Sequence, residues 1–431
     1  MSSPKKSNQL PPLDLSKWRK APNLFMIGGG LVALIGFFIS LKHDGLQHFA
    51  FSWLIAFMFC LSIPLGSLFL VMAHHLFDAG WSVPIRRFCE HLTSLLFPWM
   101  LILWIPVGLL AKKLYAWMSH NPATDHALHA KLPLFTTTGF YVVSIACFLI
   151  WWVLTRGLRG WSIRQDTMGG ALPTYKMRFY SCWGIFAFAI TLTLAAILWM
   201  KGLQHEWFST MYGVYYFAGC VWMTLGLVYI ITAVLARQGV LTEVLHEHQF
   251  YFIGSLMFAF TVFYAYVHFA QYFIIWNGNI PEETFWYIIR EKGTWFAVGM
   301  IIIFGHFFTP FLGLLRIDVK KCFPYMAGLG IWNWLMHYFD VAFNITPVLY
   351  PEGNWSAWTW IWLDFGCLAF MLGLLAKVFL AKFASCAPYP LKDPRLIEAM
   401  GHYHPVPTQI SGGELEEIDD MPDAPQTGSA K

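Results

Sequence analysis

Long apolar runs separated by short polar stretches dominate the sequence. Ten of these runs are long enough to cross a hydrocarbon layer of about 30 Å as helices that rise about 1.5 Å per residue. They cover residues 23–41, 48–74, 88–111, 132–155, 179–200, 211–236, 248–275, 294–315, 322–347 and 357–381. Strict alternation of apolar and polar residues is absent from them, and open strands cannot satisfy their backbone in lipid. The pattern therefore predicts an all-α integral membrane protein with ten transmembrane helices.

The segments outside the apolar runs complete the predicted domain organisation. Residues 1–22 are polar and basic, which predicts a cytoplasmic N-terminal leader rather than a cleaved signal. Residues 23–381 form the transmembrane domain, and residues 382–431, with their prolines and acidic patch, are predicted to be a disordered cytoplasmic tail. In this topology 21 of the 28 lysine and arginine residues lie on the inner side. That bias predicts that both termini are cytoplasmic.

A faint duplication predicts how the helices are grouped. The second segment contains Gly66 and ends at a polar turn with His74 and His75, and the sixth contains Gly226 and ends at another turn with His246. Four helices separate the two copies, so both copies have the same orientation. We therefore predict two four-helix bundles, helices 2–5 and 6–9, flanked by helices 1 and 10.

Composition narrows the classes of protein and cofactor. Of the 431 residues 57% are hydrophobic and 12% charged, whereas soluble proteins have about 25% charged residues, which excludes an ordinary water-soluble protein. The net charge of +4 comes from scattered residues and excludes a nucleic-acid-binding surface. The eight cysteines include no CxxC pair, so an iron–sulfur cluster lacks its usual ligand spacing.

A heme is the remaining redox cofactor to consider. A b-type heme needs two facing imidazoles, which His268, His306 and His337 could supply. Their acidic and amide neighbours disfavour it, because a porphyrin needs small residues around it. We therefore predict no heme, no iron–sulfur cluster and no covalently bound cofactor in this chain.

Hydrogen-bonding side chains form stripes on two of the predicted helices. On the ninth, four polar residues follow one another at steps of 4, 3 and 4, which places them on one helical face: Asn333, His337, Asp340 and Asn344. The seventh has a similar face: Thr261, Tyr264, His268 and Gln271. Ionisable groups within a membrane cost about 2.5–3.5 kcal/mol and are therefore functional candidates. The alternative is that these residues join helices, at about 0.6 kcal/mol for each hydrogen bond.

The acid–base chemistry of these side chains predicts a proton relay. His337 and Asp340 form an imidazole–carboxylate pair at positions i and i+3, which can accept and pass a proton near neutral pH. We predict this pair to be the central relay, with His268, His306 and Asp364 as partners in the outer half. His306, His337 and Asp340 are also the candidates for binding a quinone head group, with tryptophan, phenylalanine and methionine around its tail.

A second polar cluster lies at the predicted inner edge, between the second and third segments. Glu90 and His91 follow Arg86 and Arg87 there. The functional interpretation is the inner mouth of a proton path, with Glu90 and His91 as first relays. The alternative is a cytoplasmic loop with positive-inside anchors and a glutamate at a helix N-terminus, where the helix dipole favours it.

Two motifs resemble those of a known family. The first is Ala79-Gly-Trp81-Ser-Val-Pro-Ile-Arg86-Arg87 with Glu90, and the second is His268-Phe-Ala-Gln271-Tyr272-Phe-Ile-Ile-Trp276-Asn277-Gly-Asn279-Ile-Pro281-Glu282-Glu283-Thr284. The sequence resembles the polysulfide-reductase/NrfD-like membrane subunits of bacterial respiratory complexes over residues 20–385, and the second motif is the more specific. The family fold, two four-helix bundles with flanking helices, is the one predicted above.

The resemblance implies a subunit of a quinol:cytochrome c (or oxidase) oxidoreductase complex in the bacterial inner membrane. It implies as partners a sister NrfD-like membrane subunit, an iron–sulfur subunit and c-type cytochrome subunits, and it implies quinone or menaquinone as ligand. Because the sequence shows proton acceptors but no redox centre, electrons would leave through a partner. Two alternatives stay open at this point: a secondary transporter with a polar site at the midplane, and a membrane anchor whose polar residues only stabilise packing.

Overall fold

The computed structural model describes residues 18–241 and 244–400, which form helices and turns without a strand. The long helices are α1 (Lys20–His43), α2 (Gln47–Leu76), α3 (Gly80–Leu109), α4 (Thr137–Met168), α5 (Leu172–Trp199), α6 (Tyr212–Arg237), α7 (Glu247–Gly278), α8 (Gly293–Gly313), α9 (Phe323–Ile345) and α10 (Ile361–Phe383). All of them except α9 are long and apolar enough to cross a membrane. The prediction of an all-α protein with many apolar helices is therefore confirmed, and nine of the ten predicted spans qualify as candidate membrane spans among the described residues.

Helix α9 differs from the other nine because polar residues lower its mean hydropathy. It is 23 residues long, and its buried residues include Asn333, His337, Asp340 and Asn344. Its neighbours cover this polar face, so the helix depends on protein partners rather than on lipid for the solvation of these groups.

Three helix boundaries depart clearly from the predicted ones, including the start of α5, at Leu172 rather than 179. Helix α3 begins at Gly80 rather than at 88: a 3-10 turn, Gly80–Ser82, leads into an α-helical part that starts at Val83. Pro84 stands in the first turn of that part, where a missing N–H costs nothing. Helix α4 continues to Met168 rather than ending at 155. Arginines end the hydrophobic run after residue 155. They do not end the helix, because an arginine keeps its backbone hydrogen bonds.

Helix α2 is the centre of the molecule. It is apolar on every side and almost completely buried, and it packs against α3, α5, α6, α9 and α10. A helix that is hydrophobic all round is stable only inside a protein or a membrane. Helix α1, by contrast, packs against α10 and exposes a stripe of large apolar side chains that includes Leu24, Leu31 and Phe38.

The other contacts follow a closed pattern around α2 and α6. Helix α3 packs against α4, α4 against α5, and α5 against α2. In the second half, α6 packs against α7 and α9, and α8 packs against both α7 and α9. Helices α2 and α6 pack against each other and join the two sets.

Gly66 sets the close approach of α2 and α6. A Cβ at Gly66 would overlap the carbonyl oxygen of Cys220 and the hydroxyl of Thr224, both on α6. Small residues at such crossings let two helix backbones approach and pack well.

The substitution Gly66→Ala is expected to destabilise the protein by about 1–3 kcal/mol, the usual cost of inserting a methyl group into a filled core. The loss of stability is measured as the fraction of protein that stays monodisperse in detergent after heating to a series of temperatures. Gly28→Ala is the matched control, because a Cβ there meets nothing within 4 Å. Equal stability of the two variants would contradict the close packing of α2 on α6.

We call the end of the bundle where α1 begins the inner end, and the end where α1 finishes the outer end, after the predicted orientation. Residues 384–400, predicted to belong to a disordered tail, lie against the inner end. Asp393 is 3% exposed and Gln249 donates a hydrogen bond to the carbonyl oxygen of Ala399 at 3.0 Å. The segment packs there because it supplies a carboxylate to a buried arginine, as described below. The acidic patch of the predicted tail lies outside the described residues.

Candidate functional site

Asp340 lies in a cage of hydroxyl and amide groups in the outer half of the second helix set. Asp340 is buried, with only 4% of its surface exposed. Tyr264 of α7 donates its hydroxyl to Asp340 Oδ1 at 2.7 Å, and Tyr215 of α6 donates to the same oxygen. Asn344 Nδ2 donates to the Tyr215 hydroxyl at 3.0 Å, and Tyr212 donates to Asn344 Oδ1 at 3.0 Å.

The partners of Asp340 are neutral. Within the described ranges no lysine or arginine forms an ion pair with it, so hydroxyl groups alone stabilise its charge. A buried carboxylate without a cation is costly, and taking up a proton relieves that cost. Asp340 is therefore placed as a group that can exchange a proton with its tyrosine partners.

His306 lies next to this cage. Its ring is stacked between Tyr264, at 3.8 Å between ring centroids, and Trp222, at 3.9 Å. Neither ring nitrogen has a hydrogen-bond partner among the described residues, although the residue is fully buried. The histidine lies in a π-helical stretch of α8, Ile302–Phe308, an irregularity that occurs often at functional sites.

His337 faces away from Asp340 although both lie on the same side of α9. Its Nε2 lies 2.9 Å from the hydroxyl of Ser62 on α2, and its ring packs against Gly219 of α6. No hydrogen bond joins the side chains of His337 and Asp340 in the described part of the chain. The predicted central pair is therefore buried but separate, because the two side chains bond to different helices.

A groove opens beside the cage, between α7, α8 and the short helix Pro281–Arg290. Its volume is about 780 Å³. Most of its wall is apolar, including Phe296, Ile303, Phe307 and Phe343, and its polar lining consists of Tyr264, His268, Tyr272, Tyr287, Arg290 and Glu291. Tyr264 lines the groove and its hydroxyl bonds to Asp340, so this residue lies between the groove and the carboxylate.

His268 is the predicted site residue that lines the groove itself. Its ring lies 5.4 Å from that of Tyr215 and 5.9 Å from that of Tyr264. The three other predicted residues nearby, His306, His337 and Asp340, lie behind this lining. The structure therefore places His268 and Tyr264, rather than those three, where they can touch a molecule in the groove.

Arg290 holds the outer end of α9. It donates to the carbonyl oxygens of Phe343 and Asn344, both at 2.9 Å, and its guanidinium lies 3.4 Å from the centre of the Trp286 ring. These bonds satisfy carbonyl groups that the end of a helix leaves free, and the positive charge suits the helix dipole. Arg290 thus fixes the last turn of α9, which carries Asn344 and, four residues earlier, Asp340.

Asp364 does not join this group. Its carboxylate accepts a hydrogen bond at 2.9 Å from Tyr338, which lies on another face of α9. In the part of the chain that the structure describes, no hydrogen bond joins Asp364 to Asp340 or its tyrosine partners, so the predicted contribution of Asp364 to the same relay has no direct connection there.

The inner cluster is an ion-pair network rather than an open mouth. Arg86 lies 3.1 Å from Glu90 and 2.6 Å from Asp393, and Arg87 lies 3.6 Å from Glu90 and 2.8 Å from Asp166. Both arginines are buried, and so are Glu90 and Asp393. Two arginines pair with Glu90, and breaking such a buried pair is strongly destabilising.

His91 likewise has a cationic neighbour. The Nε atom of Arg159 donates to His91 Nδ1 at 3.3 Å, and the Phe383 ring packs edge-on against the imidazole at 5.7 Å. Glu90 and His91 therefore lie in α3 among arginines, 1% and 0% exposed. This arrangement fits a structural role better than the predicted role of first proton relays.

Sequence reasoning missed three residues that complete the outer site: Tyr212, Tyr215 and Arg290. The spacing of Tyr212, Tyr215 and Gly219 at steps of 3 and 4 does mark one face of α6. Arg290 gives a weaker signal, since an arginine in an outer loop is indistinguishable from a surface residue until its burial is known.

No family model matches the chain, and no curated protein matches it. The chemistry of the site itself therefore carries the functional argument. The buried cage holds a carboxylic acid and two tyrosine hydroxyls, and an imidazole lies in the wall of the adjoining apolar groove. Groups of these kinds can exchange protons with a molecule in the groove.

Proposed function

We propose that this chain is an integral membrane subunit of a quinol-oxidising respiratory complex, to which it contributes a quinone-facing surface and proton-transfer residues. The proposal places it among the NrfD-like subunits, as the second such subunit, ActF, of a bacterial alternative complex III. The observation that carries it is that Tyr264 both lines an apolar groove and donates a hydrogen bond to the buried carboxylate of Asp340.

The arrangement of the helices supports this family assignment. The contacts within α2–α5 and within α6–α9 are those expected of two four-helix bundles, and α1 and α10 pair beside them. In the proposal α9 is the tenth transmembrane span, shielded from lipid on its polar face by α6 and α2. The protein lies in the bacterial inner membrane with both termini in the cytoplasm.

The groove suits a quinol. Its phenylalanine and isoleucine walls match an aromatic ring and an isoprenoid tail, and a few polar groups fix the orientation, as in most small-molecule sites. His268 and Tyr264 are the residues that would bond to the hydroxyl groups of quinol or menaquinol. Tyr264 then gives its proton to Asp340 and receives one from the quinol, so one proton passes from the groove to the carboxylate.

Oxidation of the quinol releases two protons and two electrons. Asp340 accepts one of these protons through Tyr264 and the His268 imidazole accepts the other. The electrons pass to the iron–sulfur and c-type cytochrome subunits of the complex, next to the sister NrfD-like subunit. In this proposal the chain itself carries no heme or iron–sulfur cluster, so it acts only within the assembly.

Co-purification tests the proposal directly. The full chain, tagged at one terminus and extracted in mild detergent, is expected to bring down an iron–sulfur protein and c-type cytochromes in constant ratio. The heme absorbance of the eluate and peptide mass spectrometry measure this. An unrelated ten-helix transporter from the same membranes, tagged in the same way, is the control. Elution of the chain alone, with solute uptake in vesicles, would favour the transporter instead.

A further inference from the structure

The outer end of the molecule carries a group of metal-ligating side chains that the proton-transfer site does not use. His120 and Asp125 lie in the connection between α3 and α4, and His205 lies in the connection between α5 and α6. His120 Nδ1, Asp125 Oδ2 and His205 Nε2 all lie within 4.8 Å of one another. The two nitrogens point at the same carboxylate oxygen, from 3.3 Å and 2.7 Å.

We propose that His120, Asp125 and His205 form a binding site for a divalent transition-metal ion, and that Zn²⁺ is the ion it fits. Two imidazoles and one carboxylate are common zinc ligands, and a fourth position stays open for water. Tetrahedral coordination with bonds of about 2.0–2.1 Å separates the ligand atoms by about 3.3 Å. The observed nitrogen–oxygen distances of 3.3 Å and 2.7 Å lie close to that value, and the two nitrogens, within 4.8 Å of each other, would draw together around the ion.

Two of the three ligands are held in place by other bonds. Asp125 Oδ1 accepts the backbone N–H of Leu128 at 3.0 Å and caps the short helix His126–His129, which leaves Oδ2 for the ion. His205 is buried, and its carbonyl oxygen accepts a hydrogen bond from Lys131. Lys131 also bonds to the carbonyl oxygen of Trp207 at 3.2 Å, so its ammonium group holds the backbone rather than pairing with Asp125.

The third ligand leaves a path for an ion to enter. The His120 side chain is 46% exposed, and that of Asp125 is 18% exposed. The site thus combines a fixed pair with one ligand at the surface of the outer end.

A metal ion here would join two outer connections. The residue before His205, Gln204, accepts a hydrogen bond from Arg290 Nη1 at 3.3 Å, and Arg290 caps α9. The inference does not depend on quinol oxidation, but it ties the ion to the same end of the molecule. It predicts that zinc stabilises the outer connections, whatever the chain does with protons.

A second group in the described ranges has the same composition: His43, Asp44 and His48. Asp44 there accepts the backbone N–H groups of Gln47 and His48 at the start of α2, and His48 Nε2 lies 2.5 Å from the Tyr350 hydroxyl. These bonds use the groups that would otherwise face an ion. We therefore assign the site to His120, Asp125 and His205.

Zinc titration of the full chain tests the assignment. The protein, purified in detergent with a tag that lacks histidine and stripped with a chelator, is titrated with zinc sulfate in a calorimeter. We expect one saturable site. X-ray absorption spectroscopy at the zinc edge should show two imidazole ligands. His120→Ala is expected to weaken zinc binding by about tenfold or more. Removing a residue that only hydrogen-bonds to a metal ligand already weakens binding by about 10–100-fold, and His120 would be a ligand itself.

Two further variants separate metal binding from folding. Asp125→Asn keeps a side chain that caps helices well but removes the carboxylate, so it should fold and bind zinc weakly. His129→Ala, an exposed histidine in the same connection, should bind as the unaltered protein does. The absence of saturable binding, or binding that His43→Ala removes and His120→Ala does not, would overturn the inference.

Discussion

Asp340→Asn is expected to lower the turnover of quinol oxidation about 100-fold while the protein still folds and assembles. The asparagine oxygen can accept the same two hydrogen bonds from Tyr215 and Tyr264. It cannot take up a proton, and a positioned acid–base group typically contributes about 10²–10⁴-fold to a rate. The measurement is steady-state oxidation of a short-chain quinol by the purified complex, together with the proton yield per quinol.

Asp364→Asn is the matched control for this prediction. Asp364 also accepts a hydrogen bond from a tyrosine, Tyr338, within the helical domain, but it is not connected to the groove. We expect it to keep most of the activity. If Asp340→Asn kept full turnover and a normal proton yield, the role given to the cage would be wrong. If Asp364→Asn alone lost activity, the relevant path would run beside α10.

Asp393→Ala is expected to lower the free energy of unfolding by about 3 kcal/mol and to release the inner segment. The change leaves Arg86 buried with only Glu90 as a counter-charge, and breaking a buried pair typically costs about 3–5 kcal/mol. Thermal unfolding in detergent measures the first effect. Cleavage by trypsin after Lys392 or Arg395 measures the second, and it should be much faster in the variant.

The same contact makes the inner segment sensitive to acid. Burial raises the pKa of Asp393, but the guanidinium groups of Arg86 and Arg395 outweigh it and hold this pKa below its usual range. A lowered native pKa means that the stabilisation is complete above the unfolded value of about 3.9 and is lost as the pH falls through the native value. The difference between the unaltered protein and Asp393→Ala should therefore be constant from about pH 8 to 5 and shrink in stronger acid.

Asp318→Asn provides the control for both effects. Asp318 pairs with Arg316 at 2.6 Å, but their side chains are 64% and 76% exposed. Surface pairs of this kind contribute about 0–1 kcal/mol, so this variant should unfold like the unaltered protein. Equal losses in Asp318→Asn and Asp393→Ala would show that burial of the Arg86–Asp393 pair does not matter.

The candidate site shows where prediction from sequence ends. The steps between Asn333, His337, Asp340 and Asn344 place them on one face of a helix, and the structure buries all four. The same spacing suggested that His337 and Asp340 act on each other, whereas they bond to Ser62 and to Tyr215 with Tyr264. Helical periodicity determines the face of a helix on which a residue lies. It does not determine which neighbouring helix packs against that residue.

The inner end shows the same limit for charges. Arg86, Arg87 and Glu90 are recognisable as a polar cluster from sequence alone, and they resemble the anchors of a cytoplasmic loop. Their burial depends on Asp393, which lies 307 positions from Arg86 in the chain. No local pattern in a proline-containing tail indicates that one of its carboxylates completes a buried ion pair.

The sequence by itself determined the class of this protein and most of its helices. Hydropathy and helical spacing are properties of neighbouring residues, and they act on the backbone wherever the segment finally lies. Only the tertiary structure decided that Tyr215, 125 positions from Asp340, bonds to it, that Arg290 caps α9, and that His120, Asp125 and His205 meet at the outer end. These meetings depend on how whole helices pack, and packing is a property of facing surfaces that residues far apart in the chain build together.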